Sequence, residues 1–157
     1  MASNNFHVAS SWTTTKSKIK AFFQNKWKEE WQRLSKGLIT KAFFKTPKDA
    51  AILKTVHLTH GLTQILTGHN RLYCFLHRLS MVASPLCECQ EEAETIEHFL
   101  FACNRYVVQR EAFFATLELK SSKRRPSLHQ LMTTKVNINA FKTYIETTKR
   151  LDLSHQT

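Results

Sequence analysis

Three cysteines and one histidine fall within seventeen residues of this chain, as Cys87-x-Cys89, eight residues, His98, four residues and Cys103. No other stretch constrains the fold as much. Three thiolates and an imidazole are a standard set for a structural zinc ion, which takes four such ligands tetrahedrally. The Cys-x-Cys spacing is tighter than in most such sites, so both sulfurs reach one ion only if the backbone turns between them. His98 and Cys103 are five apart, about 140° of rotation on a regular helix. They share an ion only if that helix loosens at its last turn. Four protein ligands leave no open position for water, which makes the site structural rather than hydrolytic. The alternative is that His98 and Cys103 are helix-core residues and that Cys87 and Cys89 are incidental thiols. Cys74 lies outside the cluster on an apolar helix side and reads as packing. His60, His69 and His77 read as surface or core histidines rather than ligands of a second site.

Around this cluster the chain is poor in punctuation, with only three Gly and three Pro among 157 residues. Long segments between few turns favour helices. The expected fold is all-α: a small helical domain with an inserted CCHC zinc knuckle. Residues 1–14 read as a flexible N-terminus, 15–151 as one helical domain with the knuckle at 85–103, and 152–157 as a C-terminal tail. Ile19, Phe23, Trp27, Trp31 and Leu34 recur at intervals of three and four, which predicts a helix over 15–35 with these residues on a buried face and Gly37 as its stop. Residues 38–55 are ambiguous, with a helix able to begin at Pro47. Residues 57–67 and 71–80 read as helices separated by Gly68-His69-Asn70, with Gly61 weakening the first. Thr95 is placed to cap a helix running through Cys103. Further helices are expected over 105–119, 127–133 and 137–151, the last with Ile138, Phe141, Ile145 and Thr148 on one stripe.

The charge balance, 23 Lys+Arg against 12 Asp+Glu, gives +11. A surface this basic attracts polyanions. RNA or DNA is the expected partner, contacted mainly at phosphates by Lys16, Lys20, Lys26, Lys28, Arg33, Arg71, Arg78, Lys123, Arg124 and Arg125. A protein–protein or self-association module built on the structural zinc is the alternative. No signal peptide, transmembrane run or small-molecule motif is evident, so the expected location is intracellular, nuclear or cytoplasmic, with reduced thiols and no membrane partner. The only aspartates are Asp49 and Asp152, too few for a two-metal nuclease or polymerase. Phosphate-loop, nucleophile-elbow and H-E-x-x-H motifs are missing, so no catalytic residue is assigned.

The central residues carry a resemblance. Leu66-Thr67-Gly68-His69, Leu76-His77-Arg78, Ser84-Pro85-Leu86-Cys87-Glu88-Cys89, Glu94-Thr95-Ile96-Glu97-His98-Phe99-Leu100-Phe101-Ala102-Cys103 and Arg110 together resemble the region after the RNase H domain in reverse transcriptases of non-LTR (LINE-type) retrotransposons. The Trp-bearing segment 16–32 and the closing segment 141–151 are similar to the flanking helices of that family, so the likeness runs from about Lys16 to Leu151. It implies a structural zinc on Cys87, Cys89, His98 and Cys103, and a tail that assists nucleic-acid handling. It further implies that the polymerase and RNase H acids would lie upstream of Met1. The family often has Gly after the second cysteine; here it is Gln90, so the turn is expected to use other geometry.

Overall fold

A computed structural model describes residues 11–119 and 125–152, and among them there is no strand, only helix and one isolated bridge between Leu86 and Ala93. The fold is all-α. The chain divides into two compact units, Met1–Ser35 and Lys36–Thr157. Among the described residues no helix is long and apolar enough to cross a membrane.

The first unit contains α1, Trp12–Arg33, whose N-terminus is capped by the Ser11 hydroxyl accepting from the Thr14 N–H. The expected helix is there, but its expected buried face is not. None of its residues is buried, and Ile19, Phe23, Trp27 and Leu34 are all about half exposed or more. The spacing is helical, yet Lys16, Lys20 and Lys26 fall within about 60° of Phe23 around the axis at 100° per residue. Three cations break the stripe that a core would need. The helix also ends at Arg33, before Gly37, which adopts φ 69° as the N-cap of the next helix instead of stopping the first.

The second unit comprises α2 (Leu38–Phe43), α3 (His60–Thr67), α4 (Tyr73–Arg78), α5 (Ile96–Phe101), α6 (Val107–Thr116) and α7 (Lys135–Thr148). Short 3-10 turns occur at Asp49–Thr55, Asn104–Tyr106 and His129–Met132. No helix starts at Pro47; Asp49 accepts from the Thr46 N–H and hydroxyl, and the 3-10 turn begins there. Threonines cap three helices: Thr59, Thr95 and Thr134 accept from the N–H groups of Leu62, His98 and Asn137. Each satisfies a donor that the first helical turn leaves unpaired.

Helix α7 is the centre of the packing, against α3, α6 and the 129–132 turn. The expected residues Ile138, Phe141 and Ile145 are buried, and Thr148 is half-buried. Phe141 stacks on Phe43 and on Phe113, with centroids at 5.9 and 6.0 Å, while Tyr144 stacks on Phe113 at 5.1 Å. Each fully buried ring or aliphatic side chain contributes roughly 1.5–3 kcal/mol. Gly61 has a packing reason for sitting inside α3: a Cβ there would lie 2.8 Å from Ile145 Cγ2. Its low helix propensity is offset by the close approach of α3 to α7. Buried Asn137 donates to the carbonyls of Gln130 and Glu118 and accepts from the Glu118 N–H, tying two connecting segments to α7. The Tyr144 hydroxyl donates to the Phe99 carbonyl at 2.6 Å, which fixes α5 in place.

Candidate metal centre

Residues 85–94 form a tight antiparallel loop. Its rungs are Cys87 N–H to the Glu92 carbonyl at 2.8 Å and Glu94 N–H to the Pro85 carbonyl at 2.8 Å. The tip is closed by Gln90 N–H donating to the Cys87 carbonyl at 2.9 Å. Gln90 has φ 65°, so the expectation of other geometry is corrected: the turn takes the left-handed conformation that favours glycine, with a glutamine in it. This loop points Cys87 and Cys89 towards the start of α5.

His98 sits one turn into α5, its N–H bonded to Thr95 Oγ1 at 3.0 Å. The helix does not run through Cys103 but ends at Phe101. The N–H groups of Ala102 and Cys103 both donate to the His98 carbonyl, at 3.0 and 2.8 Å. This widened last turn, followed by an extended Cys103, replaces the rotation that a regular helix would impose and returns the Cys103 side chain to His98. Arg110 Nη1 donates to the Cys103 carbonyl at 2.7 Å and holds the backbone there.

The ligand atoms of Cys87, Cys89, His98 and Cys103 all lie within 4.8 Å of one another, close enough to hold a metal ion. Cys87 Sγ and Cys103 Sγ are 3.7 Å apart, and Cys89 Sγ is 3.2 Å from His98 Nε2. The sulfur separation is far beyond the ~2.05 Å of a disulfide. It fits two thiolates at ~2.3 Å from one tetrahedral ion, which sit about 3.7–3.8 Å apart. Cys87, Cys103 and His98 are buried and Cys89 is half-buried. His98 Nδ1 faces the Glu92 carboxylate at 3.3 Å, the carboxylate–imidazole pairing that orients a metal-binding histidine. Buried packing thiols need no convergence of this kind, and Nε2 is turned towards sulfur rather than towards a protein oxygen.

Burial pushes the Cys87 thiol up to about 12 and raises Cys103 as well. Cys89 is held down at about 7, chiefly by the Glu91 backbone N–H. A cation bound here would expel protons from the buried thiols, and its binding would strengthen as pH rises. Between the two cysteines, Glu88 accepts from the Tyr73 hydroxyl at 2.7 Å and pairs with Arg105. The hydroxyl, with the Arg105 charge adding to it, keeps the Glu88 carboxyl below its usual range.

The structure also shows support that sequence reasoning missed. Glu94 is fully buried, accepting from the Tyr73 N–H at 2.7 Å and from Arg150 Nε and Nη2 at 2.6 and 2.5 Å. Glu92, six residues before His98, and Glu94, beside the Thr95 cap, are adjacent to motif positions. Arg150 gives no local signal. The expected phosphate-contacting residues belong to both units. Lys16, Lys20, Lys26, Lys28 and Arg33 are exposed on α1. In the second unit Arg71 is half-buried, whereas Arg78 and Arg125 are exposed with guanidinium groups 5.0 and 4.6 Å from the ring centres of Phe75 and Phe101. Lys123 and Arg124 lie outside the described residues.

A helical unit with a convergent Cys3His cluster defines the class. Comparison with known proteins then gives the kinship. The chain is 35% identical over 80 residues, 51% of its length, to the Retrovirus-related Pol polyprotein from type-1 retrotransposable element R1 2 of Nasonia vitripennis. It is 29% identical over 82 residues to the corresponding R1 polyprotein of Bradysia coprophila, and 30% identical over 87 residues to that of element R1 4 of Nasonia vitripennis. These matches cover 51% and 54% of the chain. About half of the chain is thus a segment related to the Pol polyproteins of R1 non-LTR retrotransposons. The matched stretches span only 20%, 8% and 22% of those three polyproteins. No family model matches the chain, and no solved structure does.

Gln90 offers a direct test of the loop geometry. A non-glycine residue in the left-handed region costs roughly 1–2 kcal/mol, part of which glycine gives back through its greater freedom when unfolded. Gln90 is exposed, so Gln90→Gly is expected to stabilise by about 0.5–1 kcal/mol and raise Tm by a few degrees. Thermal denaturation monitored by circular dichroism measures it. A lowered Tm would show that the glutamine side chain contributes more than its backbone costs.

Proposed function

We propose that this chain is a non-catalytic, zinc-stapled helical module, corresponding to the tail of a retrotransposon Pol polyprotein, that binds RNA or DNA largely through the phosphate backbone. The observation that carries the zinc assignment is the convergence of three sulfurs and the His98 Nε2, with Glu92 behind the imidazole. Thiolate and imidazole donors suit zinc, and carboxylate-seeking ions are disfavoured by the absence of an oxygen ligand from the set. When bound, zinc supplies folding energy to the 85–103 segment. Four protein ligands leave no position for a reacting water, which supports a structural role.

Nucleic-acid binding is supported by the net charge of +11 and by the exposed cations of α1, Arg78 and Arg125. Affinity for a labelled duplex, measured across a fourfold increase in salt, tests it. For four neutralised phosphates the loss is about 100-fold. A second reading, a protein-docking module, is favoured by a groove of about 550 Å³ between α6 and α7, lined by Val108, Ala112, Val136 and Ala140 among others, with Val108 76% exposed. Its affinity would barely respond to salt. Absence of nucleic-acid binding at low salt would remove the first reading.

A further inference from the structure

Four of the five aromatic side chains of α1, Trp12, Phe22, Phe23 and Trp27, are exposed, while Trp31 is half-buried, and none of them has a role in the metal centre. Phe22, Phe23 and Trp27 are 63%, 62% and 60% exposed. Phe23 and Trp27 are four residues apart, so they occupy one face with about 6 Å of axial rise between them. Phe22 stands edge-on to Phe23, with ring centroids 5.5 Å apart. Around the same face lie Lys16, Lys20 and Lys26, all exposed, and Lys26 also neighbours Phe22 one turn on. The whole helix carries Lys16, Lys18, Lys20, Lys26, Lys28 and Arg33 against only Glu29 and Glu30.

Rings interleaved with cations have a specific chemistry. A phosphate backbone alone is satisfied by lysines and needs no aromatic surface. A base has a π-face that stacks on Phe or Trp, but inside a duplex that face is covered by its neighbours. Exposed rings beside lysines therefore match a strand whose bases are free, and stacking of this kind tolerates any sequence. Resting on the nucleic-acid reading above, we infer that α1 is a single-strand-selective surface, on which bases stack against Phe23, Trp27 and Phe22 while Lys16, Lys20 and Lys26 hold the flanking phosphates. The net positive charge of the helix supplies the complementarity to a polyanion.

The test uses the full, zinc-loaded chain and three fluorescein-labelled probes of equal length: oligothymidylate, a duplex, and an abasic strand that keeps the phosphates but has no bases. The variant is Phe22→Ala/Phe23→Ala/Trp27→Ala, whose sites are exposed. Circular dichroism checks that its helix content matches the wild type. The wild type is expected to bind oligothymidylate at least tenfold tighter than the abasic strand, and the variant to lose tenfold or more on oligothymidylate alone. The salt dependence should stay the same, because the phosphate contacts remain. Equal binding of all three probes, unchanged in the variant, overturns the stacking surface while leaving phosphate binding intact. No binding of any probe overturns the underlying reading instead. Preferential capture by phosphatidylserine vesicles over oligothymidylate overturns the inference by assigning the face to a membrane surface.

Discussion

Cys103→Ser is expected to abolish stoichiometric zinc and to unfold much of the second unit. Purified without added metal, the wild type should carry one zinc per chain, and a chelator titrated into it should lower Tm by ten degrees or more. The size of the effect follows from where the site sits. Helix α5 has six residues, well below the ~12–15 at which an isolated helix becomes even marginally stable in water. Yet it delivers Ile96, Phe99 and Leu100 to the core. Phe99 packs on Tyr106 and Tyr144, each with a centroid distance of 5.3 Å. Releasing the ion frees the 85–103 segment, and with it three buried side chains of roughly 1.5–3 kcal/mol each. That is comparable with the whole stability of an ordinary domain, about 5–15 kcal/mol. Acid should act as chelator does, because protonated thiols do not ligate. Cys89→Ser, at the half-buried corner, should cost less, and Cys74→Ser should leave zinc content unchanged. A protein that holds no zinc and melts identically with and without chelator would refute the metal centre.

The Cys3His cluster was legible because cysteines are few and the chemistry of thiols and imidazoles depends on type and spacing. The Thr95 cap was legible for a similar reason, since a hydroxyl before an apolar run acts locally; Thr59 and Thr134 act the same way. What failed to read was anything decided by distant partners. The periodicity of Ile19, Phe23 and Trp27 matches the helix that is present, but burial depends on a second surface, and the lysines on the same face oppose it. The end of α5 at Phe101 is set by two N–H groups sharing the His98 carbonyl, a departure from regular helix that ligand convergence requires but propensity does not reveal. Gln90 shows the reverse: the loop takes a left-handed backbone conformation, φ 65°, at a residue whose type does not announce it.

The largest effect outside the ligands is expected at Arg150, which is 56 residues from its partner Glu94. The Glu94 side chain is 1% exposed and that of Arg150 11%. A carboxylate so placed survives only if its charge is met, and here both guanidinium contacts and the Tyr73 N–H meet it. Arg150 also donates to the Arg71 carbonyl at 3.0 Å and lies over the Tyr73 ring at 4.8 Å. Together these contacts clamp the start of α4 and the end of the metal loop to the second residue after α7. Arg150→Met removes the compensating charge and leaves the carboxylate buried, at a cost of about 3–5 kcal/mol. Glu94→Gln should cost less, about 1–3 kcal/mol, because the freed guanidinium is nearer to solvent and the amide still accepts one hydrogen bond. The double variant should cost less than the sum of the two, since neither charge is then stranded. Urea denaturation of the zinc-loaded proteins measures all three, with zinc content as the control that the site itself is intact. Costs below about 1 kcal/mol for both single variants would reduce the pair to a bystander. The predicted ordering, with the arginine change worse than the glutamate change, tests the cause: stabilisation here comes from not stranding a charge, so the less exposed partner sets the penalty.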